Sequence, residues 1–96
     1  MFAKVTIHKV KEGRLEDAKA QVSENTESAK KEGVLFVARY MMVSQNVENR
    51  VTTVTIVNDK DKESFDKYVA KAMSKATSSD SPWASIDGDE YDVLPI

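Results

Sequence analysis

The order in which the hydrophobic periodicity changes along the chain is the feature that most constrains its fold. Residues 2–10 alternate apolar and polar side chains, which is the period-two pattern of a strand. From Arg14 onward the apolar residues recur at helical spacing, and Gly33 is expected to end this helix. Two further strands are predicted over 34–44 and 50–58. The short polar link between them indicates an antiparallel hairpin.

The second half of the chain continues the same alternation of elements. A second helix is predicted over about 61–77, with Asp59 or Asp61 as its cap. Trp83 is expected in the connection that follows, before a short fourth strand over about 89–94. The order β-α-β-β-α-β, with right-handed crossovers, predicts an α+β, ferredoxin-like protomer. In that fold, two helices cover one face of a four-stranded antiparallel sheet.

Each predicted helix carries one apolar stripe that would pack on the sheet. In the first helix the stripe comprises Leu15, Ala18, Val22 and Ala29. In the second it comprises Phe65, Val69, Ala72, Met73 and Ala76, with Tyr68 as an alternative member.

The second strand is apolar on both of its faces. Among residues 34–43 only Arg39 is charged. A sheet covered on one side should instead show one polar face. Both helices belong to the same side, so a second copy of the sheet is the economical cover. The sequence therefore predicts a homodimer with two-fold symmetry and the two sheets face to face. The alternative is a solvent-exposed face with scattered apolar residues, which monomers tolerate.

Composition removes several classes of function. The chain of 96 residues is expected to be one domain, 1–96. It has no cysteine and one histidine, which excludes disulfides, thiolate chemistry and a two-histidine metal site within one chain. A net charge of −2 argues against nucleic-acid binding. No segment resembles a signal peptide or a membrane span, so a cytoplasmic protein without a membrane partner is expected.

Polar residues on the first strand form a candidate site. Lys4, Thr6 and His8 share one face of a strand that the topology places at the centre of the sheet. Polar groups on a covered face need partners, water or a ligand. His8 could act as a general base. The alternative is that His8 lies near the strand end in contact with solvent.

Three further residues are candidates for ligand contact. Arg39 and Tyr40 are adjacent, so their side chains point to opposite faces. Tyr40 could orient a ligand oxygen and Arg39 could hold an anion. Alternatively, Tyr40 is a core residue and Arg39 makes interface or rim contacts. Trp83 could form an aromatic wall or anchor its loop. The acidic run at 87–90 is predicted to be a turn.

Four segments resemble the antibiotic biosynthesis monooxygenase (ABM) domain. They are the run at 5–16, the Glu-Gly-Val at 32–34 with the long strand after it, the hairpin at 44–49 and the Tyr-Asp-Val at 91–93. This resemblance implies a dimeric α/β barrel. Some members of the superfamily are cofactor-free oxygenases of phenolic or quinol substrates, others degrade haem, and many have no known activity.

The chain also departs from the ABM pattern. Many relatives place a histidine in or before the second helix, and residues 59–76 contain none. The Asn, Trp, His set of the haem-degrading members has no counterpart here, because Trp83 follows the second helix and His8 is on the first strand. No catalytic residue therefore carries over by position.

The resulting functional hypothesis is a cofactor-free monooxygenase acting on a small aromatic or quinol-type ligand between sheet and helices. The catalytic candidates are His8 and Tyr40, and the substrate-binding candidates are Thr6, Arg39 and Trp83. No metal is expected. The alternative is a non-catalytic ligand-binding or stress-related accessory protein with the same fold, and the sequence leaves open whether the chain is catalytic.

Overall fold

The computed structural model describes all 96 residues and has the predicted order of elements. The strands and helices are β1 (Phe2–Val10), α1 (Leu15–Lys31), β2 (Ala38–Val43), β3 (Arg50–Val57), α2 (Lys62–Ala76) and β4 (Trp83–Asp92). A single 3₁₀ turn, Asp59–Asp61, leads into α2.

The four strands form one antiparallel sheet in the order β2-β3-β1-β4. Thr6 in β1 lies opposite Thr53 in β3 and Gly88 in β4. The predicted ferredoxin-like fold is therefore confirmed, and β1 is an inner strand as expected. The residues that β1 directs to the helix side consequently lie at the middle of the covered face.

The end of α1 follows the predicted signals. Its last turn carries Lys30 and Lys31, which suits the negative end of the helix dipole. Gly33 follows with φ of +80°, a left-handed conformation that glycine adopts without steric cost. The chain can therefore reverse and send Val34 into the core, where it is 6 % exposed.

The predicted range of the second strand, 34–44, is wrong at its beginning, because β2 starts at Ala38. Ala38 pairs with Ile56, close to the end of β3 at Val57. The Val37 backbone N–H still donates a hydrogen bond to the Ile56 carbonyl at 2.7 Å. Beyond β3 the chain enters the 3₁₀ turn, so residues 34–36 have no strand to pair with. Hydrophobicity alone does not reveal where the partner strand ends.

The predicted fourth strand, 89–94, is also wrong in its bounds. β4 begins at Trp83, which the sequence placed in a connection, and the predicted acidic turn lies within the strand. Asp87 and Asp89 pair with Ile7 and Val5 of β1. Pairing with an inner strand satisfies the backbone of an edge strand even where its residues have low β-propensity.

Two apolar clusters hold the helices to the sheet, one at each end of β1. The first cluster consists of Phe2, Ala29, Val34, Val57 and Phe65. The second consists of Val10, Ala18, Val22, Val51 and Trp83. Between these clusters the helices and the sheet do not close on one another, and this gap is the candidate site.

The sheet face away from the helices is open and largely apolar on its three strands β1, β2 and β3. The side chains on this open face are Ala3, Val5, Ile7, Ala38, Tyr40, Met42, Thr52, Val54 and Ile56, with the charged Lys9 and Arg50 at one end. Tyr40 is 59 % exposed and Met42 is 49 % exposed. The face that the sequence predicted to need a cover is therefore uncovered in one chain.

Candidate functional site

A cavity of about 320 Å³ lies between the helix-facing side of the sheet and the two helices. This volume suits a small ligand of one to three fused rings. Its sheet wall is formed mainly by polar residues: Lys4, Thr6, His8, Arg39, Thr53, Thr55 and Gly88. Its helix wall and ends are mainly apolar or aromatic: Val22, Asn25, Phe65, Tyr68, Val69, Ala72, Met73, Ala76, Trp83 and Ile86.

The polar wall arises from the alternation of the two inner strands. Both β1 and β3 direct apolar residues to the helix side at their ends, where the two clusters form. Between those ends, the inward positions of β1 and β3 are polar instead. Polar side chains cannot close this middle section by apolar packing, because burial without hydrogen-bond partners is costly. A cavity remains where the covered face is polar.

The apolar stripe of α2 is positioned as the sequence predicted, but it is less buried than a core stripe. Phe65 is 2 % exposed, whereas Met73 is 38 % exposed. Val69 and Ala72 are half-buried. Phe65 packs against Phe2 of the sheet with their ring centroids 5.8 Å apart and borders the cavity at that end. Val69, Ala72 and Met73 give a ligand an apolar surface opposite the polar wall.

His8 is the titratable group at the centre of the site. It is 8 % exposed, and its ring lies against the Trp83 indole with the ring centroids 4.4 Å apart. Its Nε2 lies 3.4 Å from the Thr53 Oγ1, whereas Nδ1 is buried without a hydrogen-bond partner. The expectation of a solvent-exposed histidine near the strand end is not met.

Burial, and secondarily the positive charge of Arg39, lower the pKa of the His8 imidazole from 6.5 to about 4. His8 is therefore neutral at physiological pH, and one of its ring nitrogens carries no proton.

Arg39 supplies a permanent positive charge to the polar wall. Its Nη1 donates a hydrogen bond to the Thr55 Oγ1 at 3.2 Å, and its Nε is buried without a partner. Burial lowers the pKa of Arg39 below its usual value, although an arginine remains charged in proteins. No carboxylate forms a salt bridge with it.

Two aromatic residues of the cavity lining donate hydrogen bonds to residues of α1. The Trp83 indole nitrogen donates a hydrogen bond to the side chain of Gln21. The Tyr68 hydroxyl donates to the backbone carbonyl of Asn25 at 2.5 Å. Both aromatic rings are therefore held in place by their polar atoms, which favours a wall of defined shape.

Four of the five candidate residues from the sequence line this one cavity: Thr6, His8, Arg39 and Trp83. Tyr40 does not, because the strand alternation directs it to the open face. Tyr68 also lines the cavity, although the sequence predicts it only as an alternative member of the core stripe of α2. The signal that could have found it is a tyrosine among apolar residues on a helix face opposite a polar strand.

No group of three or more His, Asp or Glu side chains is placed to hold a metal ion. Neither helix is long and apolar enough to cross a membrane.

Solved structures with the same architecture include protein SO0527 from Shewanella oneidensis, with 23 % identity and a TM-score of 0.71 over 94 % of this chain and 87 % of that one. A candidate antibiotic biosynthesis monooxygenase from Nitrosomonas europaea has 16 % identity and a TM-score of 0.74 over 99 % of this chain and all of that one. The haem degrader MhuD from Mycobacterium tuberculosis, with two haems bound in its active site, has 13 % identity and a TM-score of 0.73. The match covers 100 % of this chain and 98 % of MhuD.

No protein-family model and no curated protein matches the sequence. The structural likenesses show that the chain has an ABM-like fold, as the sequence resemblance implied. At these identities they show the fold alone.

Proposed function

We propose that the cavity binds a small aromatic compound with an ionisable hydroxyl group and that the chain acts on it as a cofactor-free monooxygenase. The observation that carries this proposal is a neutral, buried His8 on the same polar wall as the charged Arg39, facing an apolar wall. The haem degrader and the candidate monooxygenase among the structural neighbours support a monooxygenase-like use of this fold.

The helix wall and the sheet wall would have different roles in such a reaction. The ring would pack on the helix wall while the hydroxyl group faces the sheet wall. His8 would accept the hydroxyl proton, and the positive charge of Arg39 on the same wall would favour the resulting anion. The electron-rich anion then reduces dioxygen. An activated CH₂ group beside the ring becomes a carbonyl with one oxygen atom, and its two hydrogens leave with the other as water, so the substrate supplies all four electrons.

The test is oxygen uptake with a panel of anthrones, which enolise to a hydroxyl group and carry the activated CH₂ group, measured above the uncatalysed background. We expect uptake with at least one compound, and ¹⁸O₂ should place one labelled atom in the product. His8→Ala should lower the rate about tenfold, at the weak end of general-base effects because the imidazole is a weak base. Lys67→Met, on the exposed side of α2, is the matched control and should leave the rate unchanged.

Three results would contradict the monooxygenase proposal. One is no uptake above background with any compound. Another is the formation of hydrogen peroxide in an amount equal to the oxygen consumed, since that shows electron transfer without oxygen insertion. Equal rates in the wild type and His8→Ala would remove His8 from the mechanism.

One observation favours a second candidate, a binding protein without catalysis. An imidazole with a pKa of about 4 is far from the value that suits a general base near neutral pH. Calorimetry with the same compounds distinguishes the two functions, because a binding protein would bind them without any oxygen uptake.

We further propose that a second copy of the chain covers the open face, giving a homodimer. The face is apolar across three strands, and its acidic residues, Asp87 and Asp89, lie on the edge strand β4. A two-fold axis would bring the apolar part of the face onto itself.

A further inference from the structure

The charges that line the cavity are unbalanced. Lys4 and Arg39 contribute positive charge to the lining, and no aspartate or glutamate lies among the lining residues. Neither cation takes part in a salt bridge. Glu90 lies opposite Lys4 on β4, but its Oε2 accepts a hydrogen bond from the Lys62 Nζ at 2.9 Å. The nearest carboxylate in register is therefore bound to another lysine.

The two cations lie in one row across the sheet. Arg39 pairs with Thr55, and Thr55 pairs with Lys4, so a single strand separates them. Their Cα atoms are consequently about 10 Å apart, two strand spacings, and both side chains border the same cavity. The charged ends of an arginine and a lysine can both reach a ligand placed above Thr55.

Gly88 gives Lys4 the space to lie along the cavity. A Cβ atom at Gly88 would lie 3.3 Å from the Lys4 Cε and Nζ and 3.5 Å from the Thr6 Oγ1. The backbone of β4 therefore passes close beneath the ammonium end of Lys4. Any side chain at this position would compete with Lys4 for its present place in the cavity lining.

We infer that the cavity selects an aromatic carboxylate, with its carboxylate between Arg39 and Lys4 and its ring on the helix wall. This inference rests on the proposed function and specifies the substrate class. Two partly desolvated cations without a counter-ion are costly, and an anionic ligand offsets that cost. A guanidinium fork matches the planar carboxylate, and the polar wall continues from Lys4 through Thr6 to His8, which leaves His8 for the ionisable hydroxyl group of the substrate.

The experiment compares 2-naphthoate with 2-naphthamide by isothermal titration calorimetry at about pH 7.5, where only the acid is charged. The two probes have nearly the same shape and differ mainly in charge. We expect naphthoate to bind at least about tenfold more tightly, as hydrogen bonds to charged groups contribute that much. Arg39→Gln should abolish this preference and Lys4→Met should reduce it. Lys67→Met, whose charge lies outside the cavity, should retain it.

Circular dichroism would establish that the variants are folded. If Arg39→Gln does not fold, Arg39→Lys and Lys4→Met still test the inference, because each should weaken the binding of naphthoate more than the binding of naphthamide.

The outcomes separate this inference from the proposed function. Equal affinities for the two probes, or a preference that survives the changes at Lys4 and Arg39, would overturn the carboxylate inference and leave an aromatic site. Failure of both probes to bind below about 1 mM would overturn the carboxylate inference, whereas oxygen uptake with an anthrone would still support the proposed function. A naphthoate preference without oxygen uptake by any substrate supports the carboxylate inference and overturns only the catalytic proposal.

Discussion

Replacing Tyr40 with lysine is expected to convert a dimer into a monomer and to raise the dissociation constant about 1,000-fold or more. Tyr40 lies on the open face of β2 and is 59 % exposed in the single chain. In a two-fold interface each substitution occurs twice, so two unpaired ammonium groups would be buried. In the separated chain the same lysine would remain in water, and the fold should be little affected.

Sedimentation velocity at micromolar concentration measures this directly. The wild type should sediment with about twice the 10.7 kDa mass of one chain, and Tyr40→Lys should sediment as a single chain. Ala70→Lys adds the same charge to an exposed position of α2 and should remain dimeric. A wild type that is monomeric at these concentrations, or a Tyr40→Lys variant that stays dimeric, would contradict the proposed use of the open face.

Acid should destabilise the protein through His8. Its pKa is 6.5 when unfolded and about 4 in the folded chain, so the unfolded state binds the proton first as the pH falls. Above about pH 6.5 both states are neutral at His8 and the residue contributes no pH dependence. Between about pH 6.5 and pH 4, His8 should lower the free energy of unfolding by up to about 3 kcal/mol, with no further loss from this group below that range.

Urea denaturation across this range, at one protein concentration, isolates the effect when the wild type is compared with His8→Gln. Glutamine does not titrate, whereas the carboxylates are common to both proteins and cancel in the difference. The wild type should lose stability relative to the variant as the pH falls. A difference that stays constant from pH 7 to pH 4, or that changes in the opposite direction, would show that His8 is not held neutral by burial.

Much of the fold follows from local patterns. The period-two alternation of residues 2–10 and the single apolar stripe of each helix define elements that pack in few ways. The site is partly visible in the same pattern, because Thr6 and His8 are polar residues on the covered side of an inner strand. Strand alternation alone predicts that Thr6 and His8 share a covered face without obvious hydrogen-bond partners. The structure places both residues in the cavity lining.

The remaining features depend on contacts between distant parts of the chain. β2 starts at Ala38 because β3 ends at Val57, and β4 contains Asp87 because β1 is available to pair with it. The alternation puts Arg39 and Tyr40 on opposite faces, but only the sheet order and the helix positions decide which face is covered. Tyr68 becomes a site residue only because the polar sheet wall keeps α2 away from close packing.

Methyl NMR of the protein labelled at its methionines would show whether ligands bind between the sheet and the helices. Met73 lines the cavity, whereas Met42 lies on the open face and provides an internal control. On addition of 2-naphthoate, the Met73 methyl should shift and show contacts to the naphthalene protons, while Met42 stays unchanged. If the shift and the ligand contacts were confined to the Met42 methyl, with the Met73 methyl signal unchanged, the ligand would bind on the open face of the sheet. That result would contradict a binding site between the sheet and the helices.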